Sequence, residues 1–311
     1  MCLDDASPVT LEERAHQYWH GDGSNRWFDK PCQFIVNDNG TSGFIGEHSM
    51  MDGTPTHRLN DTCNALIHSD ALPQLSETAV RSNLSDPSPI RFNIDDVPTS
   101  DNRIANLHPN TKNPKISVSL DLHQAQQHFT AQFRAHDLRV QAYQGYGKGL
   151  IKRFGCSPDA YVQMLIQLAY HRLHGGHCRP TYESAATRRF QLGRTETCRS
   201  VSAASIAFCD AMADANVPPA EVVSRFRDAL ASHVEYIGAA SAGKGVDRHL
   251  WGLRKCLKKE GQVNDGGEET PAIYLDPAYA YSSKWFLSTS QLSSEYFNGY
   301  GWSQVVDEGF G

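Results

Sequence analysis

The chain lacks any run of roughly 18 apolar residues, the length that a membrane-crossing helix needs. It also lacks a basic excess: 29 Lys and Arg stand against 35 Asp and Glu, a formal net charge of −6. That removes the electrostatic footprint of a nucleic-acid binder, while anionic small ligands need only a local positive patch. No C-x-x-C pair occurs, and the eight cysteines (Cys2, Cys32, Cys63, Cys156, Cys178, Cys198, Cys209 and Cys256) are scattered. This excludes a disulfide scaffold and fits a reducing compartment, with cysteine as a small core residue. H-E-x-x-H is missing too. The opening residues, MCLDDASPVTLEER, are acidic and polar, the wrong character for a secretory or transit segment. Without such a segment the sequons at Asn39, Asn60 and Asn83 have no glycosylation context. There is no internal repeat and no low-complexity tract.

What is present is 311 residues, 40% of them hydrophobic, enough for one large or two medium cored domains. Residues 33–48 read as a β-hairpin around the turn Asn37–Gly40, and 56–69 as a helix. Residues 75–115 are rich in Ser, Pro, Asn and Asp and read as a linker, with RFNI (91–94) strand-like within it. A helix follows near 120–136, then LRVQAYQ (138–144), whose alternation suggests a half-buried strand, then the glycine-rich turn GYGKG. SPDAYVQMLIQLAYHRL carries a helix start: Ser157 as N-cap, Pro158 at the first helical position, Asp159 in the first turn. Further helices are expected at 200–215, 218–236 and 247–259, and a strand at 284–290. This alternation of helices and strands makes the fold class α/β.

Several short stretches could carry chemistry. His48 and Asp52 form H-x-x-x-D-G at the end of an apolar run. Imidazole, with an ordinary pKa of roughly 6.5, suits proton removal from an alcohol, although a strand-end histidine has the same spacing. Lys148 and Lys152 flank the glycine-rich turn and suit a phosphate, or a solvated basic loop. Tyr182, Thr195 and Arg248 could meet a carboxylate, Arg248 equally a surface pair with Asp247. STSQ (288–291) places hydroxyls at a strand end, where one could donate to an oxyanion. His171, His174 and His177 recur every third residue, but Gly175 and Gly176 end the helix before the last, so no metal site is expected.

In order and wording, NRWFDKPCQFIV (25–36), EHSMMDGTP (47–55), GKGLIKRFGCSPDAYVQMLIQLAYHRL (147–173), TYESAATRRFQLGRTETCRS (181–200), DRHLWGL (247–253) and STSQ resemble the choline/carnitine acyltransferases. The likeness runs from about Asn25 to Gly311 and is greatest to fungal short-chain carnitine members. It implies reversible transfer of a short acyl group between CoA and carnitine, on two α/β half-domains related to chloramphenicol acetyltransferase. Residues 1–92 would be the remainder of the first half, carrying the histidine hairpin, and 93–311 the second half. His48 matches the catalytic general base and acid, Asp52 a supporting carboxylate, and Ser290 the oxyanion donor. Lys148 and Lys152 fall at the CoA 3′-phosphate, with Asp159 and Gln291 near the cofactor. Tyr182, Thr195 and Arg248 match the carnitine carboxylate set. A buried arginine without an anionic substrate is costly, so Arg248 favours carnitine over choline. Tyr300 falls where short-chain members close the acyl channel, and Trp302 at an aromatic position near the trimethylammonium.

The resemblance further implies CoA or acetyl-CoA as co-substrate with no permanently bound cofactor, a monomer at full length, and mitochondrial or peroxisomal residence. The family's chains are about twice this length, so one half-domain is expected to be only partly present and the targeting segments to lie outside it. The competing expectations are a medium- or long-chain carnitine acyltransferase and an inactive truncated fragment.

Overall fold

The computed structural model describes residues 1–49, 51–69, 88, 118–259, 270–289 and 300–301. Its contacts divide into two compact units, Met1–Gln141 and Ala142–Gly311. Both are mixed α/β among the described residues. The half-domain boundary expected at 92/93, the linker at 75–115 and RFNI lie outside the described residues.

In the first unit, β1 (Cys2–Asp4), β2 (Cys32–Asn37) and β3 (Ser42–Gly46) form one sheet in that order, β1 parallel and β3 antiparallel to β2. The expected hairpin is there. Its turn closes through Gly40 N to Asn37 O at 2.9 Å, with Gly40 at φ +78°, a conformation in which a side chain would be strained. Helix α1 (Leu11–Trp19) starts with a reciprocal cap: Glu13 N donates to Thr10 Oγ1, and Thr10 N to Glu13 Oε2. Helix α2 (Gly53–Ile67) begins three residues before the expected 56, and α3 (Val118–Arg134) covers most of the expected 120–136. Rings from α1 and α3 interlock, His20 stacking on Phe133 with centroids 4.3 Å apart. A buried ion pair, Arg26 to Asp4 at 2.7 Å, ties the loop after α1 to β1.

LRVQAYQ is not a strand. Leu138 and Val140 are more buried than Arg139 and Gln141, as the alternation predicts, yet no strand among the described residues pairs with them. Val140 N instead donates to Glu12 Oε1 at 3.3 Å. Extended geometry is local, whereas a strand also needs a neighbour.

The second unit opens with α4 (Lys148–Arg153) and α5 (Pro158–Leu173). Ser157 caps α5 as predicted, its hydroxyl accepting from Ala160 N. Next come β4 (Thr181–Ala186), β5 (Thr195–Cys198), α6 (Ala203–Ala213) and α7 (Pro219–Ala239). A π-type turn at Ala240–Lys244, with Gly243 at φ +75°, leads into α8 (Asp247–Lys259). The short helices α9 (Ala272–Leu275) and α10 (Pro277–Ser282) precede β6 (Leu287–Ser288) and β7 (Tyr300–Gly301). The sheet order is β5-β4-β6-β7, with β4 antiparallel to β5 and parallel to β6. Of the strand expected at 284–290, the described residues pair at Leu287 and Ser288. The core is helical: Ala160, Met164 and Leu168 of α5 pack on Phe208 and Cys209 of α6 and on Ala229 and Leu230 of α7. Burying Met164 completely contributes roughly 1.5–3 kcal/mol. A second cluster, Ile166, Tyr170 and Leu287, holds α5 against β6. Beneath the sheet, α5 and α7 therefore fix where β4 presents its side chains.

Candidate active site

Pairing of β2 with β3 stops at Cys32 and Gly46, and Glu47 N then donates to Pro31 O at 3.2 Å. His48 follows at once. Its Nδ1 lies 2.8 Å from the main-chain oxygen of Met51 and 3.7 Å from Asp52 Oδ1. A carbonyl oxygen only accepts, so Nδ1 must carry the hydrogen, and in the neutral ring Nε2 holds the lone pair. That is the tautomer a general base needs. Asp52 stands at the N-cap position of α2, and its Oδ1 lies beyond hydrogen-bond distance of Nδ1. The two side chains are 64% and 42% exposed, open to a substrate.

In the second unit Lys148 and Lys152 do not sit on a loop. Both belong to α4, which starts at Lys148 after Gly147 in extended backbone, and are four residues apart on one helical face. Ile151, buried between them, explains the helix: an apolar residue at this position gains burial only if the turn winds up. Asp159 occupies the first turn of α5, half-buried beside Glu183. Its carboxyl is pushed up to about 6, first by burial and then by the Glu183 charge, with His233 opposing.

Tyr182, Ser184 and Ala186 project from one face of β4, because side chains alternate along a strand. Ala186 pairs with Thr195, Ser184 with Thr197 and Tyr182 with Ser288, so these partners lie on that face too. Tyr182 and Thr195, grouped with Arg248 in the sequence as a carboxylate set, lie on one face of the sheet. Tyr182 is buried and stacks on Trp285, with centroids 4.1 Å apart and planes 18° apart. Ser288 Oγ is fully buried and makes no hydrogen bond among the described residues. A buried hydroxyl in that condition costs about 1–3 kcal/mol unless a ligand or water meets it.

Arg248 is exposed, which overturns the argument from a buried, uncompensated charge. Nor does it pair with Asp247. That carboxylate is taken by Arg199, which also donates to Thr181 O at 3.0 Å. Arg248 is positioned through its main chain: its N–H donates to Glu196 Oε1 at 3.2 Å, the same oxygen that accepts from Thr197 N. A buried glutamate at the start of α8 complements the positive helix end. Tyr300 pairs with Leu287, and its ring lies 5.8 Å from Tyr170 and 5.6 Å from His174. Ser290, Gln291 and Trp302 lie outside the described residues.

The evenly spaced histidines have separate structural partners. His171 Nε2 bonds Asp210 at 3.0 Å and His174 stacks on Tyr170, while Gly175 and Gly176 turn the chain at positive φ. The sequence reading missed a buried group on the opposite face of β4: Glu183, Cys198 and His233, with ligand atoms within 4.8 Å of one another. Glu183 Oε2 accepts from Ser200 Oγ at 3.1 Å and bonds His233 Nε2 at 2.7 Å. The Cys198 thiol is pushed far up, by burial first and then by the Glu183 charge, so it stays protonated. A thiol held neutral and a carboxylate already bonded make a poor metal donor set.

The sequence profile of the choline/carnitine O-acyltransferases matches residues 1–311. Mitochondrial carnitine O-acetyltransferase of Saccharomyces cerevisiae is 44% identical over the whole chain, which covers 43% of that relative. Human carnitine O-acetyltransferase is 35% identical and chicken choline O-acetyltransferase 34%, each over the whole chain and 46% of the relative. The chain therefore spans about half the length of the curated relatives it matches. It belongs to the choline/carnitine O-acyltransferase family.

Proposed function

We propose that this chain carries the catalytic histidine and the substrate-recognition elements of a carnitine O-acetyltransferase. The reaction is acetyl-CoA plus carnitine to acetylcarnitine plus CoA, reversibly, on two half-domains of the chloramphenicol acetyltransferase type. The observation that carries the reading is the Nδ1 contact of His48 with Met51 O, which leaves Nε2 as the base. Nε2 takes the proton of the carnitine hydroxyl, and the resulting alkoxide attacks the thioester carbonyl. Ser290 donates to the oxyanion of the tetrahedral intermediate. The carbonyl re-forms as the C–S bond breaks, and the imidazolium returns its proton to the thiolate. No covalent acyl-enzyme is required, because both substrates meet one histidine.

Lys148 and Lys152, one turn apart on α4, suit the CoA 3′-phosphate, with Asp159 and Gln291 along the cofactor. Tyr182, Thr195 and Arg248 take the carnitine carboxylate, and the face shared by the first two supports this. Trp302 faces the trimethylammonium, Tyr300 limits the acyl group to two or three carbons, and the full-length protein is a monomer. The yeast relative is named mitochondrial, and we extend that location to this protein.

The test is thiol release by the full-length protein with acetyl-CoA and L-carnitine. His48→Ala should lower the rate roughly 10²- to 10⁴-fold. A wild-type rate no higher than that of the variant ends the reading. Choline in place of carnitine, or octanoyl-CoA outperforming acetyl-CoA, would move it within the family.

A further inference from the structure

Beneath the substrate face of β4 lies a set of ionisable groups that the acyl-transfer chemistry does not use. Glu183, on the opposite face of the strand from Tyr182, is 5% exposed and His233 of α7 is 4% exposed. They are joined by the 2.7 Å bond between His233 Nε2 and Glu183 Oε2. Among the described residues, the groups facing this bond are Asp159 from α5, Cys198 from β5, and the Ser200 hydroxyl just after β5. His233 Nδ1 is buried and makes no hydrogen bond among the described residues, so Glu183 is the polar anchor of the ring there. A buried histidine and glutamate 50 positions apart in sequence cost desolvation on both sides. Apolar residues of the same shape would hold α7 to β4 at least as well. What the polar version adds is a defined charge beside Asp159.

We propose that His233 is a positioning residue for the CoA side of the reaction: bonded to Glu183, it fixes the Glu183–Asp159 carboxyl pair, and with it the first turn of α5. This rests on the assignment of Asp159 to CoA made above. The imidazolium and the Glu183 carboxylate act on Asp159 with opposite sign. Burial does most to push the Asp159 carboxyl up to about 6; the Glu183 charge adds to that by favouring the protonated form, and the His233 imidazolium opposes it by favouring the ionised form. Removing either partner should therefore move Asp159 in opposite directions, a signature that loss of packing cannot produce.

The experiment follows the Asp159 carboxyl by ¹³C NMR in full-length protein labelled at aspartate, with Asp159→Asn to assign the signal. Acetyl-CoA and carnitine kinetics run in parallel, and the 3′-dephospho cofactor removes the phosphate's own titration. His233→Gln, which keeps an N–H donor but no charge, should raise the Asp159 titration by about half a pH unit or more. Glu183→Gln should lower it towards the ordinary carboxylate range. In His233→Gln the KM for acetyl-CoA should rise about threefold or more, with kcat within about twofold and carnitine KM unchanged. If one variant fails to fold, the sign of the other decides. An Asp159 titration that moves the same way in both variants, or in neither, overturns the proposal whether or not the protein turns over. So does a fall in kcat with acetyl-CoA KM unchanged. An absence of wild-type thiol release, by contrast, strikes the acetyltransferase reading and leaves the titration to be judged separately.

Discussion

Two oxygens approach the same nitrogen of His48, that of Met51 at 2.8 Å and that of Asp52 at 3.7 Å, and the distances give them different work. The nearer sets the tautomer, and the farther stands beyond hydrogen-bond distance across a half-exposed gap. Asp52→Asn should therefore cost less than about tenfold in kcat, far short of the loss on removing the imidazole. Stopped-flow thiol release on both variants checks this, and equal losses would make Asp52 indispensable. Trp285 supports Tyr182 in a similar indirect way, through ring stacking at 4.1 Å. Trp285→Ala should raise the carnitine KM several-fold, on the order of 1 kcal/mol of lost stacking, and Trp285→Phe should restore most of it. His48, Asp52 and Tyr182 stand in quotable motifs and were legible as single residues. Glu183, Trp285 and His233 were not. Their partners lie 50 or more positions away, a relation that no local spacing encodes.

Elements were legible where punctuation was local. Ser157 and Pro158 announced α5, and Asn37 to Gly40 announced the β2–β3 turn, because capping and turn formation use only neighbouring atoms. The segment 138–144 shows the limit: its alternation is real, but pairing depends on a partner strand that the segment cannot specify. The lysine helix α4 shows the reverse. Glycines on either side suggested a loop, while the burial of Ile151 winds a turn that brings both cations to one side. Helix α5 is the frame of the second unit, and Leu168→Ala should destabilise it by about 2–5 kcal/mol, read from a lowered thermal midpoint. Glu196 accepts from the Arg248 N–H in the first turn of helix α8, so Glu196→Ala should cost about 1 kcal/mol and displace Arg248. Carnitine KM should rise with it, while acetyl-CoA KM stays level.

Across the whole molecule, the buried carboxyl makes a statement about pH. Asp159 releases its proton at about 6 in the folded chain against an ordinary 3.8. The folded state thus binds more protons than the unfolded state between those values, and stability from this group is lost as pH rises. His233 acts with the same sign: burial alone lowers its pKa, but the Glu183 bond and charge outweigh that and raise it. Its contribution is complete below the ordinary imidazole range and fades above it. Asp159→Asn, which mimics the protonated acid, should raise the thermal midpoint much less near pH 4.5 than near pH 7.5. A uniform shift at both values would refute the linkage. Finally, β4 finishes its sheet with a strand from far downstream: Thr289 bonds the Tyr182 carbonyl across 107 positions. During synthesis the tyrosine edge emerges long before its parallel partner, and closing so long a loop is slow. Until residue 288 leaves the ribosome, that edge offers open hydrogen-bonding groups to any passing strand, a hazard that β5, paired on the other side of β4, does not relieve.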